Sequence, residues 1–219
     1  MPIELSSLIN RFIFKKKILN EFAIIIISQI FTTLVALYGV RVLTQYLGPS
    51  EYGILGLCLS ITGVFDQLIF GPLSNYFSRF YSVYNERNNI VEYSGILLVV
   101  LKKILLYPFL VIISSLFIIL QWNRSLIVVS ILSVLFAYLS GVNGIFDSIQ
   151  NAARDRLLVA FHQVGFIFLK IIFAIMLINL ISANATVVLI GYILGGITII
   201  TSQFIFLKKN LNLKLATTA

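Results

Sequence analysis

One cysteine, one histidine and one tryptophan are all that these 219 residues hold of those types, and only eight positions are acidic. Cys58 by itself permits no intramolecular disulfide, and with His162 as the sole imidazole there is no His/Cys set for zinc. No aspartate or glutamate pair sits at one-turn spacing inside an apolar run, and no phosphate-cradling glycine loop is visible. Intramembrane hydrolases and prenyl-phosphate transferases need clustered nucleophiles, paired acids or metal ligands. The residues therefore argue against an enzyme, and they imply neither a metal nor a cofactor.

Apolar sequence is what the chain has in abundance. With 59% hydrophobic residues, 11% charged ones and a mean hydropathy of +1.02, a water-soluble domain could not bury its own surface. Six apolar stretches approach or exceed the roughly 20 residues needed to cross a hydrocarbon core about 30 Å thick, where only a helix satisfies its own backbone. The first is uncharged from Phe22 to Val40 and continues to about Leu47, where Gly48-Pro49 supplies a helix stop followed by a favoured helix start. The others run from Tyr52 to Ser78, Ile104 to Trp122, Leu126 to Ile149, Val159 to Ile181 and Thr186 to Leu207, with a break at Ser182-Ala183-Asn184-Ala185. The expected fold is an all-α integral membrane protein: a six-transmembrane-helix bundle over residues 18–207, preceded by a cytoplasmic interfacial segment, 1–17, and followed by a cytoplasmic tail, 208–219. In the first segment Leu5, Leu8, Ile9 and Phe12 recur at helical spacing beside Arg11 and Lys15 to Lys17.

The net charge of +8 is a matter of orientation and gives no reason to expect nucleic acid, because the basic residues flank apolar helices. Arg11, Lys15, Lys16, Lys17, Arg79, Arg87, Lys102, Lys103, Arg154, Arg156, Lys208, Lys209 and Lys214 fall on one side; Arg41 and Arg124 fall on the other. The positive-inside rule then puts both termini in the cytoplasm of a multi-pass cell (inner) membrane protein. Trp122, Tyr46 and Tyr52 at the outer edge, with Tyr81, Tyr84, Tyr93 and Tyr107 nearer the inner one, suit interfacial belts.

Charges inside spans are the candidate functional residues, since a lysine or aspartate at a helix centre costs about 2.5 to 3.5 kcal/mol on an insertion scale. Asp66 and Lys170 each fall near the middle of their own predicted spans and are expected at similar depth. Two readings stay open. The pair neutralises itself and fixes helix register, or it lines a wet cavity in which Lys170 receives an anionic group, such as a lipid phosphate, and Asp66 tunes that charge or binds a cation. Arg41 and Arg79 either extend a cationic track across the membrane or snorkel to headgroups. Asp147 lies within reach of Arg154 or Arg79 and forms an inner salt bridge or a gate latch. Gly191, Gly195 and Gly196 put small residues one helical turn apart, as do Ser140, Gly141 and Gly144, which suits close helix packing. Gly71-Pro72 and Pro108 are expected to bend their helices.

The run Arg41-Val-Leu-Thr-Gln-Tyr-Leu-Gly-Pro-Ser-Glu-Tyr-Gly53 resembles the end of span one and the start of span two in polysaccharide flippases of the multidrug/oligosaccharidyl-lipid/polysaccharide exporter superfamily. Ile149-Gln-Asn-Ala-Ala-Arg-Asp-Arg156 looks like the same family's inner loop. With the span order, the similarity covers nearly the whole chain, but only the first six of the family's usual twelve to fourteen helices. The resemblance implies one lobe of a two-lobe exporter that passes a polyprenyl-pyrophosphate-linked oligosaccharide to the outer leaflet by alternating access, for polysaccharide biosynthesis. The cationic cavity that such a substrate implies fits Lys170 and Arg41 by position and charge. The expected partners are the lipid-linked oligosaccharide, membrane lipids, and either a second copy or a C-terminal lobe, which would lie parallel to this one. Two other functions remain: a multidrug/cation antiporter of the same superfamily using Asp66, or a non-transporting scaffold for polysaccharide-assembly enzymes that docks them on the loop from Asn75 to Ser94.

Overall fold

A computed structural model describes residues 2–119 and 124–210, with side chains described for residues 19, 21–104 and 127–209. Among the described residues seven α-helices follow one another: α1 (Pro2–Tyr46), α2 (Pro49–Phe65), α3 (Gly71–Glu86), α4 (Ile90–Ile119), α5 (Arg124–Ala152), α6 (Arg156–Leu180) and α7 (Ala185–Asn210). No strand occurs among the described residues.

The residues that stop and start these helices are the ones whose chemistry demands it. α1 ends at Tyr46, Gly48 is extended, and Pro49 opens α2 where its missing N–H is no loss. α6 ends at Leu180 and α7 begins at Ala185, with Asn184 Oδ1 accepting from the Val187 N–H, 3.1 Å away. Between α3 and α4 the turn passes through Asn88 at φ 56°, a left-handed position that asparagine tolerates.

α2 and α3 form one continuous rod through a π-helical turn, Asp66–Phe70. Pro72 cannot donate to the carbonyl four residues back, and its ring would collide with that carbonyl. The turn ahead of it widens, so that the Gly71 N–H reaches the Asp66 carbonyl five residues back. The bend expected from Gly71-Pro72 takes this form.

Five of these rods are long and apolar enough to cross a membrane: Glu21–Tyr46, Pro49–Glu86, Ile127–Ala152, Arg156–Leu180 and Ala185–Lys209. Most of the predicted third span, Ile104 to Trp122, lies outside the residues whose side chains are described, as do Tyr107, Pro108, Leu5, Leu8, Ile9 and Phe12. Residues 211–219 of the predicted tail lie outside the description altogether. No break in α1 separates residues 2–17 from the apolar run that follows.

α7 is the hub. Of its most apolar stretch 56% is buried, against 6% for α1. It packs on α6, α5 and α2; α1 lies against α6, while α3 and α4 lie against α5. Side chains such as Ile26, Ile27, Ile30, Leu34 and Leu37 on α1, and Leu57, Val64 and Leu68 on the α2–α3 rod, are left facing outward. In water that surface would be a severe liability; in hydrocarbon it is solvated. Hydroxyls on these exposed faces satisfy themselves locally: Thr33 donates to the Gln29 carbonyl and Thr201 to the Ile197 carbonyl, at 2.8 and 2.7 Å.

The glycines bring helices together inside the chain. A Cβ on Gly191 would come 2.5 Å from the backbone nitrogen of Ala174, and one on Gly195 would come 2.7 Å from that of Lys170. α6 and α7 therefore meet backbone to backbone along this stripe. Gly141 takes the face of Phe70 in the same manner. The close packing expected of the span-six glycines is thus made within the chain, Gly191 and Gly195 against α6 and Gly196 beside Leu139 of α5 and Phe166 of α6.

Two further expectations change. Tyr93 is no interfacial residue: it is 1% exposed, its hydroxyl donates to the Phe77 carbonyl at 2.9 Å, and its ring sits among Phe77, Tyr81 and Tyr84. The predicted docking loop from Asn75 to Ser94 is almost wholly helical, because α3 runs on to Glu86 and α4 begins at Ile90. Its amphipathic pattern is that of a helix with Phe77 buried on α5 and the tyrosines capping the core.

Candidate functional site

α1 and α2 are joined by a two-residue turn, yet they barely touch along their length, because α1 leans on α6 and α2 on α5. A crevice opens between them. It is a cavity of about 170 Å³ with α1 contributing Gly39, Val40 and Leu43, α2 contributing Tyr52, Leu55 and Gly56, and Lys170 and Tyr192 forming the back wall.

Lys170 is its one charged lining residue. The Nζ atom lies 5.3 Å from the centre of the Tyr192 ring and 5.6 Å from that of Phe166. Both distances are within the range where a ring quadrupole attracts a cation. Among the described residues no carboxylate forms an ion pair with it. Gly195 makes the arrangement possible, since the close approach of α7 to the Lys170 backbone is what brings Tyr192, one turn earlier, beside the ammonium.

The crevice end of the bundle is pinned by a carboxylate. Glu51 Oε2 accepts from the Ala185 N–H at 2.8 Å, tying the first turn of α2 to the N-terminus of α7. A negative charge at a helix N-terminus also meets the positive end of its dipole.

Asp66 does not join Lys170. It begins the π-helical turn, half-buried, and contributes nothing to the crevice. Seven residues separate it from Leu59, the crevice-lining residue of α2 nearest to it, about 10 Å at 1.5 Å per residue, so the two charges sit at different depths. The expectation of equal depth fails because the α2–α3 rod runs well past the predicted span at its far end: Asp66 lies 17 residues from Pro49, whereas Lys170 lies 10 residues from Leu180. Neither register-fixing neutralisation nor a shared Asp66–Lys170 cavity is formed. Arg41 is exposed on α1 between the crevice-lining Val40 and Leu43, and Arg79 is exposed on α3. They do not build a track with Lys170.

Asp147 is buried, but no ion pair links it to Arg154 or Arg79. The packing of α5 on α7 turns it toward Gln203, whose Nε2 donates to Oδ1 at 2.8 Å. Arg154 instead stands exposed in the turn after α5 at φ 63°. Around Asp147 lies a polar layer that sequence reasoning missed. His162, fully buried, contacts Gln150 Oε1 through Nδ1 at 3.2 Å and Ser202 Oγ through Nε2 at 3.3 Å. Asn143, Asp147 and Gln150 share one face of α5, and that i, i+4, i+7 spacing of polar residues in an apolar helix was the available signal. Among the described residues no three His, Cys, Asp or Glu side chains are grouped to hold a metal ion.

No family model, no curated protein and no solved structure matches this chain.

Proposed function

We propose that this chain is a six-span transporter lobe that receives the phosphate of a lipid-linked substrate in the α1–α2 crevice, as one half of a flippase moving a polyprenyl-pyrophosphate-linked oligosaccharide outward. The observation that carries this reading is Lys170: a cation held by ring faces, with no carboxylate among the described residues paired to it, at the back of a cleft between two apolar helices. A lysine in hydrocarbon that neutralises no carboxylate among the described residues has its attraction left over for a ligand. Aromatic faces hold it in place without discharging it. The chemistry that fits is an anion attached to an apolar tail, which enters sideways between α1 and α2 from the bilayer. The crevice is far too small for an oligosaccharide. In this reading it takes the phosphate end, and the sugar is accommodated against a second lobe, from a second copy or from a C-terminal half.

The test is Lys170→Met in cells that depend on the protein for surface polysaccharide. Export is expected to fail while the amount of protein in the membrane is unchanged, and Lys170→Arg is expected to restore part of it. Unchanged export in the methionine variant would remove Lys170 from the mechanism. A second reading, the cation antiporter of the same superfamily, draws on Asp66 at the π-helical turn, a distortion that recurs at functional sites. Drug susceptibility that changes with Asp66→Asn, with export intact, would favour it.

A further inference from the structure

Two cavities run end to end along α1, sharing no lining residue with the α1–α2 crevice. The first, about 680 Å³, is a trough between α1 and α6 floored by Ile199 of α7, and it exposes no polar surface; Ile27, Phe31, Phe161 and Phe168 are among its walls. The second, about 470 Å³, begins where the first ends, with Ile24 in both, and is polar: Arg154, Arg156 and Lys209 stand there with Glu21 and Asp155.

The dimensions and charges select a ligand. On α6 the trough runs from Ala160 to Leu169, about 14 Å at 1.5 Å per residue, close to half of a hydrocarbon core roughly 30 Å thick. It thus has the length of one leaflet. Arg154, Arg156 and Lys209, among its described lining residues, suit the polar cavity to an anionic headgroup at the end of an apolar tail. One donor there is unspent: Arg156 gives an Nη1 hydrogen bond of 2.6 Å to Asn151 Oδ1, but its buried Nε has no partner among the described residues. We propose that this flank is a binding site for one anionic glycerophospholipid, with an acyl chain in the α1–α6 trough and the headgroup phosphate on Arg156 and Lys209. The bound lipid staples the otherwise poorly buried α1 to α6. The site needs only that the protein be embedded in a bilayer, and it stands or falls separately from transport through the crevice.

The experiment is native mass spectrometry of the full chain in detergent, titrated with phosphatidylglycerol and, separately, with phosphatidylcholine of the same acyl chains. Wild type is expected to retain phosphatidylglycerol about tenfold better, since juxtamembrane lysines and arginines each contribute measurably to anionic-lipid binding. R156Q/K209Q is expected to bring the two lipids within about twofold of each other. Ala160→Phe, which fills the trough and leaves the cations in place, is expected to lose retention of both. Equal retention of the two lipids by wild type, or a preference unaltered in R156Q/K209Q, would overturn the site. Should that double variant fail to fold, R154Q, at an exposed position in the same cavity, is expected to weaken the preference, and no change would count against the proposal. Displacement of phosphatidylglycerol by undecaprenyl phosphate at one-tenth its concentration would overturn the phospholipid assignment and give the trough to the polyprenyl carrier.

Discussion

Gly195 rests on the backbone of Lys170, so closely that a Cβ at position 195 would lie 2.7 Å from the Lys170 nitrogen. Neither partner can swing aside, because both are main chain. Gly195→Leu is therefore expected to push α6 and α7 apart and to cost about 1–3 kcal/mol as overpacking. It should also carry Tyr192 away from the Lys170 ammonium. Thermal unfolding in detergent would read the first effect and export the second.

Tyr192 holds Lys170 through its ring face alone, so Tyr192→Phe keeps what matters and Tyr192→Leu does not. Loss of one desolvated cation–π contact amounts to about 0.5–2 kcal/mol. Export is expected to be near wild type for the phenylalanine variant and clearly reduced for the leucine variant. Equal export by the two would show that the ring does not position the ammonium.

Asp147 and Gln203 form the core of the buried polar layer. Asp147→Asn keeps an acceptor for the Gln203 amide and is expected to fold with little change. Asp147→Leu strands that donor in the interior and should destabilise by about 1–3 kcal/mol, measured by unfolding in detergent. A small effect of the leucine variant would mean that the layer rearranges around the loss.

Cys58 is buried, which makes a single introduced cysteine a clean topological probe. Ser50, in the first turn of α2, and Asn88, between α3 and α4, are both exposed and lie at opposite ends of the α2–α3 rod. The distribution of basic residues predicts that Ser50→Cys reacts with an impermeant maleimide in intact cells and that Asn88→Cys reacts only after permeabilisation. The reverse pattern would invert the orientation.

Glu51 offers a test of the crevice end. Its carboxylate bonds the N-terminal amide of α7, and a hydrogen bond to a charged group is worth about 1.5–3 kcal/mol. Glu51→Ala is expected to lose most of that in an unfolding measurement, and Glu51→Gln much less, because the amide oxygen still accepts.

Much of this architecture follows from local chemistry that is visible in the chain alone. Apolar runs of membrane length become helices because the backbone has no other way to satisfy itself in hydrocarbon. Gly48-Pro49 stops one helix and starts the next, the stretch around Ser182 to Asn184 separates α6 from α7, and Pro72 forces the rod to distort just ahead of itself. What a charge or a glycine meets is a different matter, because it depends on how each helix is rotated and how deep it sits. Packing between helices sets both quantities. Asp66 and Lys170 look like partners along the chain and lie at different depths in the fold; Asp147 faces a glutamine of α7 instead of an arginine; the span-six glycines are consumed by α6. Hydropathy is a one-dimensional quantity and by itself determined that helices long and apolar enough to cross a membrane would form, whereas the partners of the buried polar groups were decided only when those helices turned particular faces to one another.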